Sequence, residues 1–167
     1  MRNTTPKSVT VTPTPPPAPR SATPRILLAE DSAADAYLVL AAFKEHGLDA
    51  PLEVATDGEQ VLRILSRPRG PDDASLDLII LDLNLPRYDG IEILRQLRAT
   101  EGLAGVPVIV LTSSDSPQDR FAATQLGVAR YLRKPTDLKQ FLNLGAVFRD
   151  VLGLAEADSE GTEGIPE

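Results

Sequence analysis

The chain has 167 residues, 42% of them hydrophobic, with a formal net charge of −7, a pI of about 4.8 and no cysteine. That length points to one domain with an ordinary core. The missing cysteines exclude disulfides and thiolate chemistry, and the acidic balance argues against nucleic acid as a partner. No apolar run approaches the roughly 20 residues that span a bilayer, and the N-terminus lacks the apolar segment of a secretory signal. A soluble cytoplasmic protein is expected.

Residues 1–24 carry seven of the fifteen prolines, with Pro15-Pro16-Pro17 among them, and are read as an extended, disordered tail. Arg25 to Ala29 is a short apolar run, the first strand, and it ends in Glu30-Asp31. Ser32 to His46 has an apolar stripe at helical spacing, Leu38, Ala41, Ala42 and Phe43, closed by Gly47. Leu52 to Ala55 is the second strand. Asp57-Gly58 turns the chain into a helix over Glu59–Ser66, and a loop covers Arg67 to Ser75. Leu76 to Leu81 is the third strand. It is uninterruptedly apolar from Leu78, as suits a strand buried on both faces, and it meets Asp82, Asn84 and Pro86 at its end. Asp89-Gly90 leads into a helix from Ile91 to Ala99, and Val106 to Leu111 is the fourth strand, followed by Thr112. Pro117 suits a helix first turn, Gly127 ends that helix, and Val128 to Leu132 is the fifth strand, followed by Arg133-Lys134-Pro135. One last helix is expected from Thr136 or Asp137 to Leu152. Residues 153–167, with five acidic side chains, are read as a second disordered tail.

Strand and helix alternate five times, which implies an α/β fold: a five-stranded parallel sheet with helices on both faces. In such a sheet every strand ends on the same edge, where ligands bind. That edge collects Glu30, Asp31 and Asp82, the hydroxyl of Thr112 and the ammonium of Lys134. Three carboxylates in one place repel one another and call for a cation. Oxygen ligands with room for water favour Mg²⁺. Asp82, at the end of a buried strand, can act as a nucleophile and form an aspartyl-phosphate. Lys134, Thr112 and the cation would then stabilise the charge on the transferring phosphoryl group.

With Leu28-Ala29-Glu30-Asp31, Leu81-Asp82-Leu83-Asn84-Leu85-Pro86 and its following Asp89-Gly90, Val110-Leu111-Thr112-Ser113, and Lys134-Pro135 in this order, the chain resembles the receiver domain of two-component response regulators. The resemblance covers residues 25–152 and implies the flavodoxin-like (βα)5 receiver architecture. The run Glu30-Asp31-Ser32-Ala33-Ala34-Asp35 further resembles the single-domain regulators that serve bacterial phytochrome kinases. The resemblance implies that Asp82 accepts phosphate from a kinase histidine. Mg²⁺ would lie between Asp31, Asp82 and the backbone carbonyl of Asn84, with Glu30 acting through water. Glu30 departs from the more frequent Asp of the family. Lys134 would pair with the phosphate, and a cis Lys134–Pro135 peptide would aim it into the site. Thr112 and Tyr131 resemble the switch pair, Tyr131 swinging inward as Thr112 moves to the phosphate. Asn84 and Ser114 match positions that influence how fast water removes it.

Nothing after Leu152 is long enough for an output domain, so output is expected by association. The last helix carries more apolar residues than one core-facing stripe needs, which suggests a homodimer through the fifth strand and that helix, with Tyr131, Phe141, Leu144 and Phe148 on the shared face. No membrane or nucleic-acid partner is expected, and no enzymatic activity beyond self-catalysed phosphorylation and dephosphorylation. Three other readings stay open. An aspartate-nucleophile phosphatase would want an acid where Asn84 stands. A flavin or nucleotide module would want a Gly-rich or hydroxyl-rich loop in place of Glu30-Asp31. A receiver that binds partners without phosphate would not need the full acidic set.

Overall fold

The computed structural model describes residues 23–70 and 75–154. The two tail readings fall almost entirely outside these residues. Five strands, β1 (Ile26–Ala29), β2 (Leu52–Ala55), β3 (Leu78–Leu81), β4 (Val108–Thr112) and β5 (Arg130–Arg133), alternate with α1 (Ala33–Glu45), α2 (Gly58–Leu65), α3 (Gly90–Ala99) and α4 (Pro117–Gln125), and the chain closes on α5 (Leu138–Leu142) and α6 (Leu144–Val151). All the strand pairings are parallel, in the order β2-β1-β3-β4-β5. The expected five-stranded sheet is present.

Side chains alternate along each strand, so one face of the sheet carries Ile26, Leu28, Leu78, Ile80, Ile109 and Leu111 and the other Leu27, Ala29, Ile79, Leu81, Val108 and Val110. The first set packs with Val39, Phe43, Phe141 and Phe148 of α1, α5 and α6; the second packs with Val61, Leu94 and Ala123 of α2, α3 and α4. Both faces of the central strands are therefore covered, which is why β1, β3 and β4 read as unbroken apolar runs.

Every described helix except α6 starts where a side-chain oxygen relieves an unpaired backbone N–H. Ser32, Asp57, Asp89, Ser116 and Asp137 accept from the amides of Asp35, Gln60, Ile91, Asp119 and Gln140. Gly90 lies so close to the Leu83 backbone that a Cβ there would collide with it. The turn after Asp82 can fold this tightly only because the residue following Asp89 has no side chain.

Several expectations need correction. The last helix is interrupted at Asn143, where the amide of Ala146 turns to the Asn143 carbonyl at 3.2 Å. Immediately beyond, Gly145 packs against the Ala42 carbonyl and the His46 ring of α1. The third, fourth and fifth strands begin two residues later than expected, at Leu78, Val108 and Arg130. Approaching the last two, the Val106 and Gly127 carbonyls are taken by the Arg98 guanidinium at 2.8 and 3.0 Å. No described peptide bond is cis, so the Lys134–Pro135 bond is trans.

Candidate functional site

Register decides which strand tips meet. Ala29 stands opposite Leu81, so Glu30 and Asp82 leave the sheet side by side, and the Asp82 amide donates to the Ala29 carbonyl at 3.0 Å. Thr112 stands opposite Arg133, and the Lys134 amide donates to the Thr112 carbonyl at 2.8 Å. Alternation then divides the site in two. Glu30, Asp82 and Lys134 continue the rows of Leu28, Ile80 and Leu132 on the α1 side, whereas Thr112 and Tyr131 belong to the α4 side with Val110.

On the α1 side, the Lys134 Nζ donates to three carboxylates: Glu30 Oε2 at 2.7 Å, Asp35 Oδ2 at 2.8 Å and Asp82 Oδ2 at 2.8 Å. The other Asp82 oxygen, Oδ1, accepts from the Asn84 amide at 3.0 Å, and Glu30 Oε1 accepts from the Ser32 amide at 2.9 Å. Glu30 and Asp82 are only 2% and 3% exposed. Burying acids so deeply is tolerated because their oxygens are hydrogen-bonded and one ammonium serves several of them.

On the α4 side, Thr112 is fully buried and its Oγ1 accepts from the Asn84 side-chain amide at 3.3 Å and the Ser114 backbone amide at 3.2 Å. Asn84 thus joins the two sides, with its backbone on Asp82 and its side chain on Thr112. Among the described residues the buried Tyr131 hydroxyl makes no hydrogen bond of good geometry, and its ring lies 4.8 Å beneath the Arg120 guanidinium. That hydroxyl already points inward.

The pocket electrostatics follow. Burial pushes the Glu30 carboxyl above its usual range, opposed by the bonds from Lys134 and the Ser32 amide. Burial alone would lower the Lys134 pKa, but bonds to Asp35, Asp82 and Glu30 outweigh it and hold the ammonium above its ordinary value. Burial and the nearby Asp119 carboxylate raise the Tyr131 hydroxyl.

One carboxylate oxygen from each of Glu30, Asp31 and Asp82 lies within 4.8 Å of the others. Of the four acids gathered here, Glu30, Asp35 and Asp82 pair with the one ammonium. Asp31 is exposed, and among the described residues it forms no ion pair. An all-oxygen donor set with surplus negative charge and an open side suits a hard divalent cation.

Residues 26–144 match the family model for the response regulator receiver domain. The chain belongs to that family. Among similar proteins, the response regulator Rcp1 of Synechocystis sp. is 37% identical over 120 residues, 71% of this chain and 82% of Rcp1. The probable methanogenesis regulatory protein FilR2 of Methanothrix harundinacea is 39% identical over 118 residues, 69% of this chain and 76% of FilR2. The crystal structure of the phosphorylated cyanobacterial phytochrome response regulator RcpA superposes with a TM-score of 0.69 at 32% identity, covering 77% of this chain and 93% of RcpA. The Mn²⁺-bound form of Rcp1 gives a TM-score of 0.67 at 32% identity, covering 86% and 99%.

This receiver brings Glu30, Asp31, Asp82, Asn84, Thr112 and Lys134 together at one edge and seats Tyr131 against the α4-side core. Asp35 joins them unforeseen as a site residue. Its signal was legible as an acid three residues after the Ser32 cap, a spacing that sets it on the first turn of α1. The proposed dimer face does not survive as drawn. Phe141 and Phe148 are 2% and 0% exposed and Leu144 is buried with them, all in the α1-side core. Phe148 meets Phe43 edge-to-face at 5.3 Å between ring centres. The apolar surplus is consumed because α5 and α6 press against both α1 and the sheet. Among the described large hydrophobic residues, Leu138 of α5, Leu154 just after α6 and Phe121 of α4 are exposed. Among the described residues no helix is long and apolar enough to cross a membrane.

Proposed function

We propose that this protein is a cytoplasmic single-domain response regulator that takes a phosphoryl group onto Asp82 from the histidine of a sensor kinase of the phytochrome type. The observation that carries this reading is the triple pairing of Lys134 with Glu30, Asp35 and Asp82 beside an acidic cluster at the C-terminal edge of a parallel sheet. The phytochrome assignment rests on the likeness to RcpA.

In the transfer, one Asp82 oxygen forms a bond to phosphorus as the P–N bond to the kinase imidazole breaks; the leaving nitrogen keeps the bonding pair and takes up a proton. Asp31, Asp82 and the Asn84 carbonyl would hold Mg²⁺, with Glu30 acting through water, and the bound ion would supply positive charge against the phosphoryl oxygens. Lys134 stands where it can move from Asp82 Oδ2 to a phosphoryl oxygen. Thr112, on the other side of Asn84, offers its hydroxyl to the same group, and Tyr131 shares the α4 side with it. The only covalent chemistry assigned to the chain is this self-catalysed phosphorylation and its reversal by water.

The test is intact mass after incubation with Mg²⁺ and acetyl phosphate. One Mg²⁺-dependent, base-labile phosphoryl adduct, absent in Asp82→Asn, is the expected result. No adduct on the wild-type chain overturns the reading, and steady turnover of phosphate esters would replace it with a phosphatase.

A further inference from the structure

The ammonium of Lys134 has three N–H donors, and each already has a carboxylate: Glu30 at 2.7 Å, Asp35 at 2.8 Å and Asp82 at 2.8 Å. A phosphoryl oxygen can therefore gain Lys134 only if one of these bonds is given up. The three partners are not equivalent. Glu30 and Asp82 also belong to the oxygen cluster with Asp31, so a cation drawn there competes with Lys134 for them. Asp35 lies outside that cluster.

Asp35 reaches Lys134 from a different element, 99 positions earlier in the chain. Ser32 caps α1 by accepting the Asp35 amide at 3.2 Å, which fixes the first turn and sets the Asp35 side chain beside the strand tips. Its carboxylate is partly open to solvent, with a side-chain exposure of 30%, against 12% for Lys134. An acid in a helix first turn also favours the helix dipole, but that role requires no contact with Lys134.

Resting on the phosphoacceptor reading above, we propose that Asp35 is a positioning residue for Lys134: it keeps the ammonium at the pocket while Glu30 and Asp82 turn to other partners. Asp35 touches neither donor nor phosphoryl group and acts only through Lys134. Without it, the four-carbon arm of Lys134 has no fixed anchor once the other two carboxylates are engaged, and the ammonium samples solvent.

Two measurements on the full chain test this, using Asp35→Ala, Asp35→Asn and Asp35→Glu, with Val39→Ala as a control that loosens α1 from its buried face without touching the pocket. The first is recorded without metal and again with Mg²⁺ in excess, where Glu30 and Asp82 are drawn to the cation and the loss of Asp35 should show most. In ¹⁵N-resolved spectra of the Lys134 ammonium, the wild-type signal should exchange slowly with water; it should broaden in Asp35→Ala, less in Asp35→Glu, and not in Val39→Ala. The second is the rate of adduct formation with acetyl phosphate. The rate at saturating donor should fall about tenfold in Asp35→Ala, the size expected for one charge-assisted bond, with KM little changed, and Asp35→Glu should recover part of it. If Asp35→Ala folds poorly, Asp35→Asn serves in both arms. An unchanged ammonium signal overturns the proposal, as does a faster reaction at lower KM, which would mean that Asp35 acts only by repelling the anionic donor. A wild-type chain that forms no adduct sinks the phosphoacceptor reading instead, and the ammonium spectra still decide the role of Asp35.

Discussion

The C-terminal edge of the sheet and the closing pair of helices both stand out in the sequence, one for its acids and the other for its apolar residues, yet they turned out differently. At the edge, Glu30, Asp82 and Lys134 meet much as their positions after the strands imply. In α5 and α6, Phe141, Leu144 and Phe148 go inward rather than to a partner. Charges at strand tips have little choice, since a parallel sheet brings all such tips to one edge and opposite charges close the remaining distance. An apolar surplus has several ways to be buried, and only the positions of neighbouring elements choose among them.

The largest effect that could break this contrast is Phe148→Asp. A carboxylate in place of a fully buried ring packed on Phe43 should cost more than about 4 kcal/mol and abolish cooperative thermal unfolding. A folded monomer from the same variant would return Phe148 to the surface. At the edge, Lys134→Ala should leave the fold in place but destabilise the metal-free protein by about 3 kcal/mol, because the buried Glu30 and Asp82 lose their counter-ion. Its rate of adduct formation should fall by about a hundredfold or more. Mg²⁺ at a hundredfold excess over its Kd should add about 2.7 kcal/mol to wild-type stability, read as a shift of the urea midpoint, and Asp31→Asn should weaken that gain.

Smaller effects sharpen the same contrast. Gly145→Ala places a methyl against the Ala42 carbonyl and the His46 ring, and should cost about 1–3 kcal/mol in urea unfolding without altering the edge chemistry. The smallest expected effect is a pH dependence. The Glu30 carboxyl is raised in the folded state, chiefly by burial, so between its unfolded and folded pKa the native chain binds more proton than the unfolded one. The stability that Glu30 contributes is fully present below its unfolded value and is lost as pH rises through the folded one. In metal-free buffer, the wild-type urea midpoint should therefore fall relative to Glu30→Gln as the pH is raised through that window. A constant difference would show that Glu30 is not held in a proton-favouring site.

Much of this was legible in the residues. The apolar runs ending at Ala29, Leu81 and Leu111 announced strands, the third as one buried on both faces, and Ser32, Asp57 and Asp137 marked helix starts to within a residue. The acids and the lysine after those strands named the edge. Less legible were features that depend on two distant segments at once. Asp35 carries no local mark of a partner, and only the fold sets Lys134 beside it. The last helix reads as continuous because no proline interrupts it, and its irregularity at Asn143 is visible only with α1 alongside Gly145.

The sequence by itself determined the alternation of strand and helix, the parallel sheet and the chemical inventory of one edge, because periodicity and strand-end residues are local properties of the chain. Only the tertiary structure decided that Glu30, Asp82 and Lys134 share the α1 side while Thr112 and Tyr131 take the α4 side, that Asp35 completes the coordination of the ammonium, and that the closing phenylalanines belong to the core. These outcomes depend on register and on distances between segments far apart in the chain, and a charge or a ring finds its partner only after those distances are set.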